Sequence, residues 1–341
     1  MQFSSIKSQV ISKEPNQIKR AKLITDKFLR LTLLPTEQCN FRCTYCYEDY
    51  FERQMKPEIV TGIKLLIERR LAKLETLVIS WFGGEPLIAK NIMLDISRYA
   101  KSLIDKGNRK INFISGATTN GYFLDLKTAS ELAEVGICDY QISLDGPKDL
   151  HNQTRLRGDG TGTFDRIWSN LIAIRDSSLP ISINLRIHFT SDTYNQLNPL
   201  LNDLRREFLP DPRFSFYFEG IHKLGGENDS NLKIFTSVKE ERQIAESLKA
   251  KLYQSQSYPK RSSELGSYIC YAAKGNAFIV RSNGDICKCT VALYDERNKI
   301  ATLQPDGTLD IIPGRITPWM RGIETLDRDA LSCPWANLTW Q

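Results

Sequence analysis

Apolar and polar positions follow two different rhythms along the first two-thirds of this chain. Residues 28–34 are a dense run of leucines with one phenylalanine, the texture of a buried strand. Residues 57–71 instead set Ile59, Ile63, Leu66, Ile67 and Leu71 on one face. That is the period of an amphipathic helix, and Pro57 suits its first turn. The alternation then repeats. Strands are predicted at 76–82, 111–114 (running on toward Thr119), 139–144, 181–189 and 213–218, with helices at 93–104, 126–135, 163–175 and 194–207. Six strand–helix units in series imply an α/β fold with a parallel sheet and helices outside it. Six units suit an open, partial barrel better than a closed eightfold one.

The rhythm breaks at residues 223–231, a polar stretch holding Gly225 and Gly226. A charged amphipathic helix is predicted over 236–253. Beyond it the texture changes, and residues 277–289 read as a hairpin turning at Asn283-Gly284. The expected organisation is an N-terminal segment (1–24), a barrel (25–222), a linker with a bridging helix (223–261) and a small C-terminal domain (262–341).

Composition adds little to this picture. The 341 residues are 41% apolar and 25% charged, ordinary for a soluble globular protein. A net charge of +6 over such a length does not argue for nucleic acid. No apolar run approaches a membrane span, and the N-terminus has no signal-peptide core. The expectation is a cytoplasmic protein with neither a nucleic-acid nor a membrane partner.

Cysteine changes the picture. Of eight cysteines, three fall within eight residues, as Cys39-x3-Cys43-x2-Cys46. In a cytosolic chain, cysteines are metal ligands or reactive thiols more often than disulfides. The group lies just past the C-terminal end of the first strand, the face where barrel loops converge on one site. Three thiolates on one loop can grip three irons of a cubane and leave the fourth open. Zinc is the alternative, but closed zinc sites usually take four ligands with paired C-x2-C units, and no second such unit occurs.

The C-x3-C-x-aromatic-C pattern, with Tyr45 in the aromatic slot, resembles the defining motif of the radical S-adenosylmethionine (SAM) superfamily. Further elements continue the resemblance at the ends of the next three strands. Gly83-Gly84-Glu85-Pro86 is similar to the family's GGEP motif, which binds the SAM amino group; read alone it is a Gly-Gly turn. Thr119-Asn120-Gly121 is similar to its TNG element. Ser143 and Asp145 share one strand face and offer a hydroxyl and a carboxylate inward. Arg155 suits the SAM carboxylate, since a guanidinium pairs bidentately with carboxylates. The resemblance implies SAM and a 4Fe–4S cluster as cofactors, with Tyr45, Gly83, Gly84, Glu85, Asn120, Ser143, Asp145 and Arg155 around SAM. It also implies cleavage of SAM to a 5′-deoxyadenosyl radical, fed by an external one-electron reductant such as a flavodoxin or ferredoxin.

A second group comprises Cys270, Cys287, Cys289 and Cys333. Residues two apart on a strand face the same way, so the sulfurs of Cys287 and Cys289 are expected to meet one metal. The region resembles the SPASM or shorter twitch extension of radical SAM peptide-modifying enzymes, which implies one auxiliary 4Fe–4S cluster. Either all four cysteines hold it, or three do and one stays a free thiol; four-thiolate zinc is the alternative. Cys138 reads as a small buried hydrophobe. Arg186 with His188, and Tyr217 with Glu219, share strand faces where substrate contacts are expected or where they fill the barrel.

The resemblance implies modification of a ribosomally made precursor peptide, by a side-chain crosslink such as a cyclophane or thioether, or by epimerisation. About 25 residues precede the first strand, too few for a leader-recognition domain, so a separate leader-peptide-binding protein is a further expected partner. The alternatives are an anaerobic sulfatase-maturating, formylglycine-forming enzyme and a small-molecule radical SAM dehydrogenase.

Overall fold

The computed structural model describes residues 16–107, 109–254 and 268–336. In chain order the elements are α1 (Asn16–Ile24), β1 (Phe28–Leu33), β2 (Phe41–Cys43), α2 (Pro57–Leu71), β3 (Thr76–Trp81), α3 (Lys90–Lys106), β4 (Asn112–Thr119), α4 (Leu126–Glu134) and β5 (Ile137–Leu144). They continue as α5 (Lys148–Thr154), β6 (Arg155–Arg157), α6 (Phe164–Arg175), β7 (Ser182–Phe189), α7 (Asn198–Glu207), β8 (Phe214–Gly220) and α8 (Val238–Tyr253). The C-terminal part holds β9 (Ala277–Val280), β10 (Asp285–Cys287), β11 (Lys299–Leu303), β12 (Leu309–Ile311), α9 (Arg321–Thr325) and α10 (Arg328–Ser332).

The six predicted barrel strands are present, ordered β1-β3-β4-β5-β7-β8, and every neighbouring pair is parallel. Parallel strands need covered faces, and the buried residues of α2, α3, α4, α6 and α7 supply the outer cover. The C-terminal hairpin extends the same sheet rather than standing apart from it. β9 lies parallel to β1, from Arg30 opposite Ala277 to Leu33 opposite Val280, and β10, β11 and β12 follow antiparallel. One ten-stranded sheet therefore runs from the barrel strands into the hairpin that ends at Cys287. The boundary expected between residues 261 and 262 lies outside the described residues.

The two faces of the last barrel strands differ. On β8, Phe214, Phe216 and Phe218 are buried and face the helices: Phe214 stacks on Phe208 at 4.7 Å and Phe216 meets Tyr253 edge-on at 6.3 Å. Ser215, Tyr217 and Glu219, on the other face, stay partly exposed. β7 alternates likewise, with Ile183, Leu185 and Ile187 buried and Asn184 and Arg186 partly open. β3 is buried from Leu77 to Trp81. The inner wall of the partial barrel is thus polar and reached by water on its β7–β8 side.

A second sheet of two short antiparallel strands, β2 and β6, was not foreseen from the sequence. It pairs Cys43 with Arg155, Arg42 with Leu156 and Phe41 with Arg157. Three-residue strands carry too little pattern to be read as periodic.

Candidate functional site

The cysteine loop leaves β1 and is pinned along its length. The Phe41 amide donates to Cys39 Sγ at 3.3 Å, the Cys46 amide to the Cys43 carbonyl at 3.1 Å and the Thr44 amide to the Thr154 carbonyl at 2.9 Å. The Gly83-Gly84 turn after β3 packs directly beneath it. Gly84 sits at φ +46°, and a Cβ there would lie 2.2 Å from the Gln38 carbonyl oxygen. Its amide donates to Glu48 Oε2 at 2.7 Å, and the Glu85 amide donates to the Gln38 carbonyl at 2.9 Å. Glycine is required by this approach of two backbones, not by the turn alone.

Glu85 is fully buried and joins the ends of two strands. Its carboxylate accepts from Leu87 N at 3.0 Å, Thr119 Oγ1 at 2.7 Å and Asn120 N at 2.7 Å. Burial raises its pKa above the ordinary value, against those hydrogen bonds. A carboxylate offers about four acceptor positions, so three bonds leave room for one more donor. Asn120 in turn donates from Nδ2 to Asn40 Oδ1 at 2.8 Å, beside Cys39.

Tyr45 points into the barrel and gathers the remaining predicted residues. Its hydroxyl donates to Asp145 Oδ1 at 3.0 Å, accepts from Arg155 Nη1 at 2.7 Å and lies 3.0 Å from His188 Nδ1. Asp145 Oδ2 accepts from Thr154 Oγ1 at 2.7 Å. Burial opposes ionisation of Asp145, but the His188 hydrogen bond and the Arg155 charge win and hold it below the usual carboxylate range. His188 is driven down to about 4, by burial first and the Arg186 charge second, so it is neutral near pH 7. Ser143 Oγ accepts from Arg186 Nε at 3.1 Å and Nη2 at 3.0 Å. Of the predicted SAM-site residues, Tyr45, Asp145 and Arg155 thus meet directly, Glu85 is bonded to Asn120, and Ser143 is joined to the β7 wall through Arg186.

The donor set fits an iron–sulfur cluster with SAM. Burial pushes Cys43 up to about 12 and raises Cys39 and Cys46, so these thiols do not ionise unaided. A multivalent cation is what turns three such thiols into ligands. Two buried donors beside the loop, Arg155 Nε and Asn40 Nδ2, lack a partner. Unsatisfied buried donors are rare, and an anionic group such as a carboxylate would satisfy them.

The second cysteine group divides. Cys270 is raised to about 11, by burial first and then by the nearby sulfurs of Cys289 and Cys333, and Cys289 also feels Cys333. Cys287 does not join them. It is 2% exposed, packs with Leu34, Ile279 and Leu293, and has Arg281, Asp285, Glu37 and Lys299 as its charged neighbours. The expected shared face of Cys287 and Cys289 is lost because the ladder shifts register at Ile286/Cys287 and β10 ends there. The amides of Lys288 and Cys289 then both donate to Asn298 Oδ1, at 3.0 and 2.8 Å. Cys138 is half-buried at the start of β5, packed against the core.

A contact between the two groups, and one within the second, escaped sequence reasoning. The Tyr47 hydroxyl, next to Cys46, donates to the carbonyl of Thr290, next to Cys289, at 3.1 Å. The Tyr271 hydroxyl, next to Cys270, meets Thr290 Oγ1 at 2.9 Å. Neither tyrosine stands in a pattern that spacing could flag.

Comparison with known proteins matches residues 33–204, half of the chain, to the family described as the Radical SAM superfamily. A curated relative, Fe-coproporphyrin III synthase of Methanosarcina barkeri, is 27% identical over 53% of this chain and 42% of its own. GTP 3′,8-cyclase of Brucella abortus is 30% identical over 46% of this chain and 43% of its own. The chain therefore spans less than half the length of these relatives. Among solved structures, anSMEcpe with bound AdoMet and Cp18Cys peptide aligns with a TM-score of 0.64 at 19% identity, over 91% of this chain and 87% of that one. Streptococcus suis SuiB bound to precursor peptide SuiA aligns at 0.58 and 18% identity, over 83% and 65%. At such identities the likeness establishes the fold.

Proposed function

Because this chain belongs to the radical SAM superfamily, we propose that it is an enzyme that modifies a ribosomally made peptide by radical chemistry, through a side-chain crosslink or an epimerisation. SAM and a 4Fe–4S cluster are its cofactors. When bound, they supply a 5′-deoxyadenosyl radical able to take a hydrogen atom from an unactivated C–H bond. Cys39, Cys43 and Cys46 would hold the cluster. Asn120, Ser143, Asp145 and Arg155 would hold SAM, with Gly83 and Gly84 admitting the close approach and Glu85 tying the strand ends beneath it. Tyr45 and His188 keep Arg155 and Asp145 in place while the barrel core excludes water from the far side.

The observation that carries the peptide reading is the second cysteine group, Cys270, Cys289 and Cys333, built on a hairpin that continues the barrel sheet and is bonded to the first cysteine loop through Tyr47 and Thr290. The two structural neighbours solved with peptides support it. No helix among the described residues is long and apolar enough to cross a membrane. An external flavodoxin or ferredoxin and a separate leader-binding protein complete the proposed set of partners.

Anaerobic reconstitution tests the reading. Two cubanes require about eight irons per chain, and reduction with SAM must yield 5′-deoxyadenosine. Coexpression with any short open reading frame found next to the gene, followed by mass spectrometry, reads the reaction. Loss of two hydrogens marks a crosslink; unchanged mass with deuterium uptake marks epimerisation. Bound zinc without deoxyadenosine sinks the proposal. The alignment with anSMEcpe, over 91% of this chain and 87% of that one, favours formylglycine formation as the second reading; an aldehyde on a Cys- or Ser-containing peptide, trapped with a hydrazine, would identify it.

A further inference from the structure

The open inner wall of β7–β8 carries one permanent cation among its described residues, Arg186. It stands between Ser143 on β5 and Tyr217 on β8, each directly opposite it in the ladder. Its side-chain hydrogen bonds among the described residues, from Nε and Nη2, both end on Ser143 Oγ, a neutral hydroxyl. Among the described residues no carboxylate lies within ion-pair distance of it. Other half-buried arginines have one: Arg175 has Asp176 and Glu207, Arg213 has Asp211 and, in the hairpin, Arg281 has Glu37; Arg30 on β1, which donates to Ser80 Oγ at 3.2 Å, shares the lack with Arg186.

A partly buried guanidinium without a carboxylate is under-compensated. Desolvating it costs several kcal/mol, which a hydroxyl repays poorly. Burial accordingly lowers the pKa of Arg186 below its ordinary value, and Glu219, further along the wall, offsets only part of this. Asp145, one row nearer the strand ends, is already engaged by Tyr45 and Thr154. The planar fork of an arginine recognises a carboxylate bidentately, and it does so most strongly where water is partly excluded. Arg186 faces the side of the wall that water reaches, next to the residues proposed to hold SAM.

We propose that Arg186 is a substrate-binding residue that takes a carboxylate of the peptide against the β7–β8 wall. This rests on the peptide reading, and it narrows the substrate to one carrying an acidic group beside the atom that reacts. The carboxylate is either an acidic side chain or the C-terminus.

The test uses reconstituted, SAM-loaded protein and small probes. N-acetyl-glutamate amide presents a side-chain carboxylate, N-acetyl-glutamine a terminal one, and N-acetyl-glutamine amide neither. Calorimetry or ligand-detected NMR should find one acidic probe bound about tenfold more tightly than the neutral probe, the scale of a charged hydrogen bond. R186Q should erase that difference and R186K should retain part of it, with iron content and unfolding midpoint matching the parent. Equal binding of all three probes, or a preference that survives R186Q, overturns the proposal. So does an R186Q protein whose affinity for SAM itself falls by the same factor, because the carboxylate would then be that of SAM. Glutarate separates this idea from the one beneath it. If glutarate binds through Arg186 as well as the amide probes do, the carboxylate site stands and the peptide reading loses its support.

Discussion

Glu37 and Arg281 form a buried, two-pronged ion pair: Arg281 Nε donates to Glu37 Oε1 at 3.1 Å and Nη2 to Oε2 at 2.6 Å. Glu37 is 0% exposed and also accepts from Ser282 N and Oγ, at 3.3 and 3.1 Å. It lies two residues before Cys39, and Arg281 lies at the turn of the hairpin that carries Cys287. The pair therefore fixes the two cysteine-bearing loops relative to each other.

Breaking such a pair leaves a buried charge uncompensated. E37Q or R281M should each destabilise the protein by about 3–5 kcal/mol, whereas the double variant should lose less than the sum. Anaerobic denaturant titration of the four proteins measures the coupling. Additive losses would mean that the pair does not bridge the loops.

Neither residue was legible in the sequence, and the reason is physical. Periodicity reports which face of an element is buried, so the barrel strands, α2 from Pro57 to Leu71 and the Gly-Gly and Asn-Gly turns could be read directly. Cys39, Cys43, Cys46 and their companions after β3, β4 and β5 could be read because each motif is contiguous. Glu37 and Arg281 meet across 244 positions, and nothing local marks either one. The parallel joining of β9 to β1 was hidden for the same reason: a four-residue apolar strand does not say which edge it will extend.

His151 gives a prediction in pH. It is fully buried, its Nδ1 accepts from the Asp145 amide at 3.3 Å, and its Nε2 lies 3.0 Å from Thr163 Oγ1. Thr163 Oγ1 donates to the Arg155 carbonyl at 2.6 Å, so it accepts from Nε2–H, and the ring is held neutral. Burial accordingly lowers its pKa from 6.5 to about 3. The unfolded chain binds this proton below pH 6.5 and the folded chain does not. Stability is therefore complete above that pH and falls as pH drops toward 3, by about 1.4 kcal/mol per unit. His188, driven down to about 4, adds an equal share over the same range, so urea midpoints of the metal-free protein between pH 7.5 and about 5 should fall with both contributions, and H151Q should remove about half of the slope. An unchanged slope in H151Q would place the effect elsewhere.

Gly84 tests whether the approach of the two loops matters. An alanine there meets the Gln38 carbonyl at 2.2 Å and must hold φ +46°. G84A should cost about 2 kcal/mol or more and weaken SAM binding, because the cysteine loop has to move away from the turn. G160A is the control: Gly160 also has positive φ, at +81°, but open space around it. It should show only the conformational cost, about 1 kcal/mol, with SAM affinity unchanged. Equal loss of SAM affinity in both would mean that backbone strain, not the clash, is responsible.

Cys287 separates two ways of building the second site. Cys289 and Cys333 lie near enough to raise the Cys270 thiol, and Cys333 near enough to raise Cys289, while Cys287 is packed among Leu34, Ile279 and Leu293. Between Cys287 and Cys289 lies Lys288, which is 0% exposed and donates from Nζ to the carbonyls of Lys274 and Ala277. That anchored lysine holds the backbone after the register shift. C270A, C289A and C333A should each lower reconstituted iron from about eight to about four per chain. C287A should leave it at about eight and cost only about 1 kcal/mol of packing. Iron and sulfide analysis with electron paramagnetic resonance of the reduced proteins reads the outcome. A drop to about four irons in C287A would restore the four-thiolate site that strand periodicity predicts, and would require the hairpin to turn Cys287 outward when the metal binds.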